Sequence, residues 1–150
     1  MDMTGERLIR ASRARVWEAL NDPEILQACI PGCRSLTRDG DEMVAEVVAS
    51  VGPVKATFKG RVRIEDPQPP QAYALSGEGI GGAAGFAKGR AEVRLEEIDG
   101  DTLLSYETKA QVGGKLAQLG GRLIDATARK LSGEFFDALA ARLSQEATVE

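Results

Sequence analysis

The 150-residue chain contains no histidine. That absence removes the commonest general base at neutral pH and excludes Ser-His and Cys-His activation of a nucleophile. Cysteine is scarce as well: Cys29 and Cys33 are the only two, separated by Ile30-Pro31-Gly32. Without histidine they fall short of the ligand set of a structural zinc site, and in a chain with no export signal they read as free thiols and not as a disulfide. No apolar run reaches the ~18 residues of a membrane-spanning helix, and Met1 to Arg10 carries charges of both signs where a signal peptide would be apolar. A cytoplasmic protein is expected. There is no surplus of positive charge either: the net charge is −4 and the pI about 5.0, with basic residues scattered among acidic ones, so nucleic acid is not an expected partner.

What is present suits one ordinary domain, since 43% hydrophobic residues in a chain of this length can bury a core without metal or disulfide help. The first ten residues alternate loosely and read as an opening strand that stops at Ala11. Ser12 is a fitting N-cap for a short helix through Leu20, and Asn21-Asp22-Pro23 starts a second one ending at Ala28. Strands then follow in quick succession, which excludes a βαβ pattern. The clearest period-two segment is Val54–Glu65, with Val54, Ala56, Phe58, Gly60, Val62 and Ile64 on one face and Lys55, Thr57, Lys59, Arg61, Arg63 and Glu65 on the other. Met43–Val51 alternates in the same sense, and Gly52-Pro53 supplies the turn between them. Asp66–Pro70 holds three prolines and ends this section of sheet. Further strands are expected over Tyr73–Gly79, Ala83–Ile98 and Thr102–Val112, the last two joined by the Asp99-Gly100 hairpin signal.

After Gly113-Gly114 the period becomes helical: Leu116, Leu119, Leu123, Thr127, Leu131, Phe135, Ala138 and Arg142 recur at three- and four-residue steps. Opposite them, Arg122, Asp125 and Arg129 are spaced for surface ion pairs. The expected architecture is α+β: a curved antiparallel sheet of about seven strands wrapped around a long C-terminal helix, with two short helices after strand 1. Residues 1–144 form the expected domain and 145–150 a frayed tail.

Several phrases of the chain carry a family likeness. Asn21-Asp22-Pro23-Glu24, Ala28-Cys29-Ile30-Pro31-Gly32-Cys33, Val51-Gly52-Pro53-Val54-Lys55-Ala56-Thr57-Phe58-Lys59-Gly60, the glycine-rich stretch Gly77–Gly89 and Gln111–Gly120 together resemble the G-subunit family of carbon monoxide dehydrogenase. The order of elements is similar to the helix-grip fold of the START and pollen-allergen-like (SRPBCC) superfamily. The resemblance implies a non-catalytic accessory protein with no cofactor of its own, partnered with a molybdenum-containing carbon monoxide dehydrogenase or related hydroxylase and assisting its membrane recruitment or electron transfer. Peripheral contact with the inner face of the membrane is part of that implication. Some members carry a C-terminal extension suited to anchoring; residues 1–150 are not expected to anchor themselves.

Gly77-Glu78-Gly79-Ile80-Gly81-Gly82 matches the dinucleotide fingerprint only formally, because a strand follows where a helix N-terminus is needed. Register offers a better account. If Ala91, Val93 and Leu95 point inward, so do Ala83, Gly85, Ala87 and Gly89, joined by Gly60, Gly77 and Gly79 on neighbouring strands. Either the long helix approaches very closely there, aided by Gly120 and Gly121, or space remains for a ligand. The cavity reading gives a lining of Phe58, Gly60, Val62, Tyr73, Leu75, Gly77, Gly79, Ala83, Gly85, Ala87 and Tyr106 from the sheet, with Leu116, Leu119 and Leu123 from the helix. Its occupant is an apolar small molecule, a quinone or lipid. The alternative is a docking or maturation module with a filled core. No metal site and no catalytic residue are expected; Glu78 and Asp125 are the carboxylates considered for an enzyme, and they show no catalytic spacing. Lys55, Lys59, Arg61 and Arg63 read as a solvated face balanced by Glu92, Glu96 and Glu107.

Overall fold

Alternation of apolar and charged residues lets each strand bury one face, and seven such strands pair antiparallel into one sheet in the order β1-β7-β6-β5-β4-β3-β2. The computed structural model describes residues 1–148, with side chains as far as Glu146. The strands are β1 (Asp2–Ile9), β2 (Cys33–Asp39), β3 (Glu42–Val51), β4 (Val54–Gln68), β5 (Ala72–Ile80), β6 (Phe86–Ile98) and β7 (Asp101–Gly113). From β2 to β7 every neighbour in the sheet is a neighbour in sequence; β1 closes the far edge by pairing with β7.

Because β1 and β2 lie at opposite edges, the chain between them must cross the open side of the sheet. It does so as α1 (Arg13–Leu20) and α2 (Pro23–Cys29). Ser12 caps α1 by accepting from the Arg15 amide at 3.2 Å, and Asp22 caps α2 by accepting from the Glu24 amide at 2.9 Å. At the β6–β7 hairpin Asp99 and Gly100 both take positive φ, 49° and 85°, the backbone that a tight two-residue turn between right-twisted strands requires.

The C-terminal helical region is interrupted. Gly120 takes φ 90° and separates a four-residue helix α3 (Lys115–Gln118) from α4 (Gly121–Thr148), so the expected single helix is two. The tail expected at 145–150 is helical through Thr148, and positions 149–150 lie outside the described residues. The side chains α4 drives deepest are Leu139 and Leu143, both essentially inaccessible, while Arg142 of the expected stripe is exposed. A straight 3.6-residue helix drifts off a strict 3.5-residue row, which moves the buried side by one position over the helix length. Leu139 and Leu143 join Ile9, Val16, Ala19, Leu20, Ile25 and Leu26 in the main core. Two ion pairs fasten the same half of α4: Arg7 with Asp137, and Arg15 with Glu146 at 2.8 Å.

Two strand limits differ from expectation. β6 begins at Phe86, not Ala83, because Gly82–Ala84 forms a single 3-10 turn and Gly85 follows with φ 109°. β4 runs past the first proline to Gln68 through a register shift after Glu65, where Asp66 takes φ 48°.

Candidate functional site

The concave face of the sheet does not meet α4 along its whole length. Between them lies a chamber of about 420 Å³. Strand residues Met43, Ala45, Val47, Val62, Tyr73, Leu75, Ala91, Val93, Leu104 and Tyr106 form its floor and sides; α4 supplies Leu131, Ser132, Phe135 and Phe136, and Leu20, Leu26 and Ile30 close one end. Each strand contributes alternate residues, as the pleat dictates.

Few polar atoms face this space. Thr108 spends its hydroxyl on the Met3 carbonyl, donating at 3.2 Å. Tyr106 stacks on Phe136 with ring centroids 5.2 Å apart, and its hydroxyl lies over Gly5, where a Cβ would clash with the ring. Tyr73 is 6% exposed, and its ring meets Trp17 edge-on at 5.2 Å. Burial pushes the Tyr73 phenol well above its ordinary value. Its hydroxyl has no hydrogen-bond partner among the described residues.

A second, more open hollow of about 370 Å³ adjoins the chamber and shares Val47 and Val62 with it. Its other lining residues are Phe58, Gly60, Gly77, Glu78, Gly79, Ala87, Lys88, Gly89 and Ala110. Not every glycine here leaves space. At Gly60 the nearest atoms to an added Cβ are 3.9 Å away, and at Gly79 there is none within 4 Å. At Gly77 a Cβ would sit 2.7 Å from the Arg61 carbonyl oxygen, and at Gly89 it would strike that of Lys109, so these two permit close approach of neighbouring strands.

The expected lining is therefore split three ways. Val62, Tyr73, Leu75 and Tyr106 stand around the chamber. Phe58, Gly60, Gly77, Gly79 and Ala87 stand around the hollow. Leu116, Leu119 and Leu123 line neither; they pack with Val51, Val54, Phe58, Val112 and Ile124 in a separate small core at the end of the sheet. Ala83 is exposed in the 3-10 turn, and a Cβ on Gly85 would run into the Gly113 carbonyl oxygen, so neither points inward from a strand as expected. Gly120 and Gly121 give no close approach, since a Cβ at either meets nothing within 4 Å. Missed by the sequence reading were Phe135 and Phe136, whose aromatic pair in the helical stripe was the available signal, and Ala45 and Ala91, small inward residues on strands already recognised.

The remaining candidates lie elsewhere. Cys29 is buried and Cys33 half-buried, both free, and burial raises both thiols above their ordinary range. Among the described residues no group of three or more His, Cys, Asp or Glu is arranged to hold a metal ion. Glu78 and Asp125 do not line the chamber, and Asp125 accepts from Arg129 at 3.0 Å. The basic row on β4 is balanced differently from expectation: Arg61 pairs with Glu42 at 2.8 Å, not with Glu92, Glu96 or Glu107. No helix among the described residues is long and apolar enough to cross a membrane.

Comparison with known proteins places this geometry. A conserved protein from Geobacillus kaustophilus is similar at 32% identity and a TM-score of 0.91, over 97% of this chain and 96% of that one. The Zhui aromatase/cyclase from Streptomyces shares the fold at 13% identity and TM-score 0.68, over 98% and 95% of the two chains. Ara h 8.0201 does so at 16% identity and TM-score 0.69, over 97% and 98%. These are helix-grip proteins, a sheet curved about a long C-terminal helix. No curated protein matches the sequence. The family model for the G subunit of carbon monoxide dehydrogenase (CoxG) matches residues 5–144, and the chain belongs to that family.

Proposed function

We propose that this protein is an accessory, non-catalytic partner of a molybdenum-containing carbon monoxide dehydrogenase or related hydroxylase, and that it carries an apolar molecule, a quinone or lipid, between its sheet and α4. The observation that supports this reading is the chamber. The space measures about 420 Å³ and its walls are almost wholly apolar. Engineered apolar cavities of about 150 Å³ already take up benzene, and their walls keep water out. A lining so poor in polar atoms therefore favours an apolar occupant, with the Tyr73 hydroxyl available to donate to a carbonyl on it.

The one tryptophan of the chain tests the reading directly. Trp17 touches Tyr73, so its emission reports on the chamber wall. Titrating delipidated protein with a long-chain benzoquinone and, separately, with a fatty acid should quench or shift Trp17 emission saturably for at least one of them. A flat response to both, with no apolar molecule retained from the expressing cells, would remove the ligand-carrier reading.

A further inference from the structure

The chamber wall carries no formal charge. Among the described residues that line it there is no aspartate, glutamate, lysine or arginine, and the hydroxyl-bearing side chains are Tyr73, Tyr106, Thr108 and Ser132. Thr108 donates to the Met3 carbonyl. Tyr106 and Ser132 are only half-buried, and the Tyr106 hydroxyl lies over Gly5 on the edge strand β1. Tyr73 differs from all three. It is 6% exposed, its ring is held edge-on by Trp17, and its hydroxyl has no partner among the described residues. A hydroxyl taken out of water and left unpaired bears the full desolvation penalty of that group, which an acceptor carried in by a ligand recovers.

The surroundings offer little to an anion. Beside the hollow, Glu78 and Lys88 are direct cross-strand partners of opposite sign, and on the α4 side Arg7 is closed on Asp137. A carboxylate entering the chamber therefore meets no unpaired cation on its wall, and taking an ion out of water without one is far more costly than burying a neutral group. Burial pushes the Tyr73 phenol above its ordinary value, so the hydroxyl keeps its proton and donates at neutral pH.

We infer that Tyr73 is the specificity-determining residue of the chamber: its hydroxyl donates to a carbonyl oxygen on an electrically neutral occupant, and the uncharged wall rejects carboxylate amphiphiles such as free fatty acids. This rests on the ligand reading above and narrows the occupant from apolar molecules in general to neutral carbonyl compounds.

The test uses the intact, delipidated protein at neutral pH and the displacement of an apolar fluorophore by three probes of equal carbon count: butyrophenone, butylbenzene and 4-phenylbutyrate. In the parent, the ketone and the hydrocarbon should both displace the fluorophore, and phenylbutyrate should need at least about 100-fold more. Tyr73→Phe keeps the ring and removes the hydroxyl. It should weaken butyrophenone about fivefold and leave butylbenzene within about twofold, the difference that one neutral hydrogen bond makes. The melting temperature of the empty variant should stay at or above that of the parent, because no hydrogen bond of the fold is lost. A hydroxyl that only supported the fold would lower the melting temperature and affect the two neutral probes alike. Ser132→Ala, which removes another hydroxyl of the wall, should shift the ketone and the hydrocarbon by the same factor. Equal effects of Tyr73→Phe on the two neutral probes, a ketone-selective loss in Ser132→Ala in its place, or phenylbutyrate binding as tightly as butyrophenone overturns the inference. Any of these with butylbenzene still bound leaves the apolar chamber standing. Binding of neither the fluorophore nor any probe would refute the ligand reading together with this one.

Discussion

Filling the chamber should stabilise the empty protein and weaken ligand binding at once. Ala91 lies on β6 between Leu75 and Thr108, on the chamber floor. Ala91→Leu adds three carbons to a site where they replace empty space. At about 0.8 kcal/mol for each buried methylene the gain is roughly 2.4 kcal/mol, and ordering the leucine takes back about 0.5–1 kcal/mol. The net, about 1.5 kcal/mol, corresponds to a rise of roughly 3–6 °C in melting temperature for a chain of this size. Differential scanning calorimetry of delipidated parent and variant measures it, and displacement of an apolar fluorophore measures the loss of binding. In a chamber that is already filled by side chains the same leucine would overpack, lowering stability by about 1–3 kcal/mol. A lower melting temperature with unchanged fluorophore affinity would therefore refute the argument, since a merely disruptive change cannot raise stability while it weakens binding.

Gly79→Leu projects into open space and should fold normally while narrowing the hollow, whereas Gly85→Leu forces a side chain onto φ 109° against the Gly113 carbonyl and should cost the fold several kcal/mol; circular dichroism melts of the two variants separate them, and equal melts would contradict the assignment. Leu139→Ala empties a fully buried position of the grip between α4 and the sheet, so urea unfolding should show a loss of about 2–5 kcal/mol with an unchanged m-value. The Arg15 hydrogen bond and charge hold the Glu146 carboxyl below the usual carboxylate range, so the stability it adds is present above that range and is lost as pH falls through the folded-state value. The melting-temperature gap between the parent and Glu146→Gln should accordingly be widest near neutrality and shrink as pH falls through the lowered folded-state value; a gap that widens on acidification contradicts the pairing.

The sheet was legible because its cues are local. Alternation over Val54–Glu65, the Gly52-Pro53 turn and the Asp99-Gly100 hairpin each act within a few residues, and each appears in the fold with its expected partner strand. Ser12 and Asp22 announce α1 and α2 for the same reason. The chamber walls were half legible. Period two correctly set Val62, Tyr73, Leu75 and Tyr106 on the concave face, because phase is fixed once one residue of a strand is placed. It failed at Ala83 and Gly85, where a positive-φ glycine ends one backbone state and starts another, and phase cannot be carried across such a joint.

The helix side was less legible for a different reason. Periodicity says which residues of a helix face inward but not how far along the sheet each one lands. Leu116, Leu119 and Leu123 do face the sheet, yet the break at Gly120 and the length of α4 carry them past the chamber to its end, leaving Leu131 and Phe135 above it. Glycine likewise has two meanings that sequence does not separate: open volume at Gly60 and Gly79, and strand-to-strand contact at Gly77 and Gly89.

The claim on which the rest depends is that the space between the sheet and α4 is occupied by an apolar molecule. Native mass spectrometry of the protein purified without detergent addresses it most directly. The account predicts a species heavier than the 16.0 kDa chain, whose extra mass is released as a quinone or lipid on unfolding and is diminished in Ala91→Leu. A single species at the mass of the bare chain, unchanged after incubation with long-chain quinones and lipids, would contradict it.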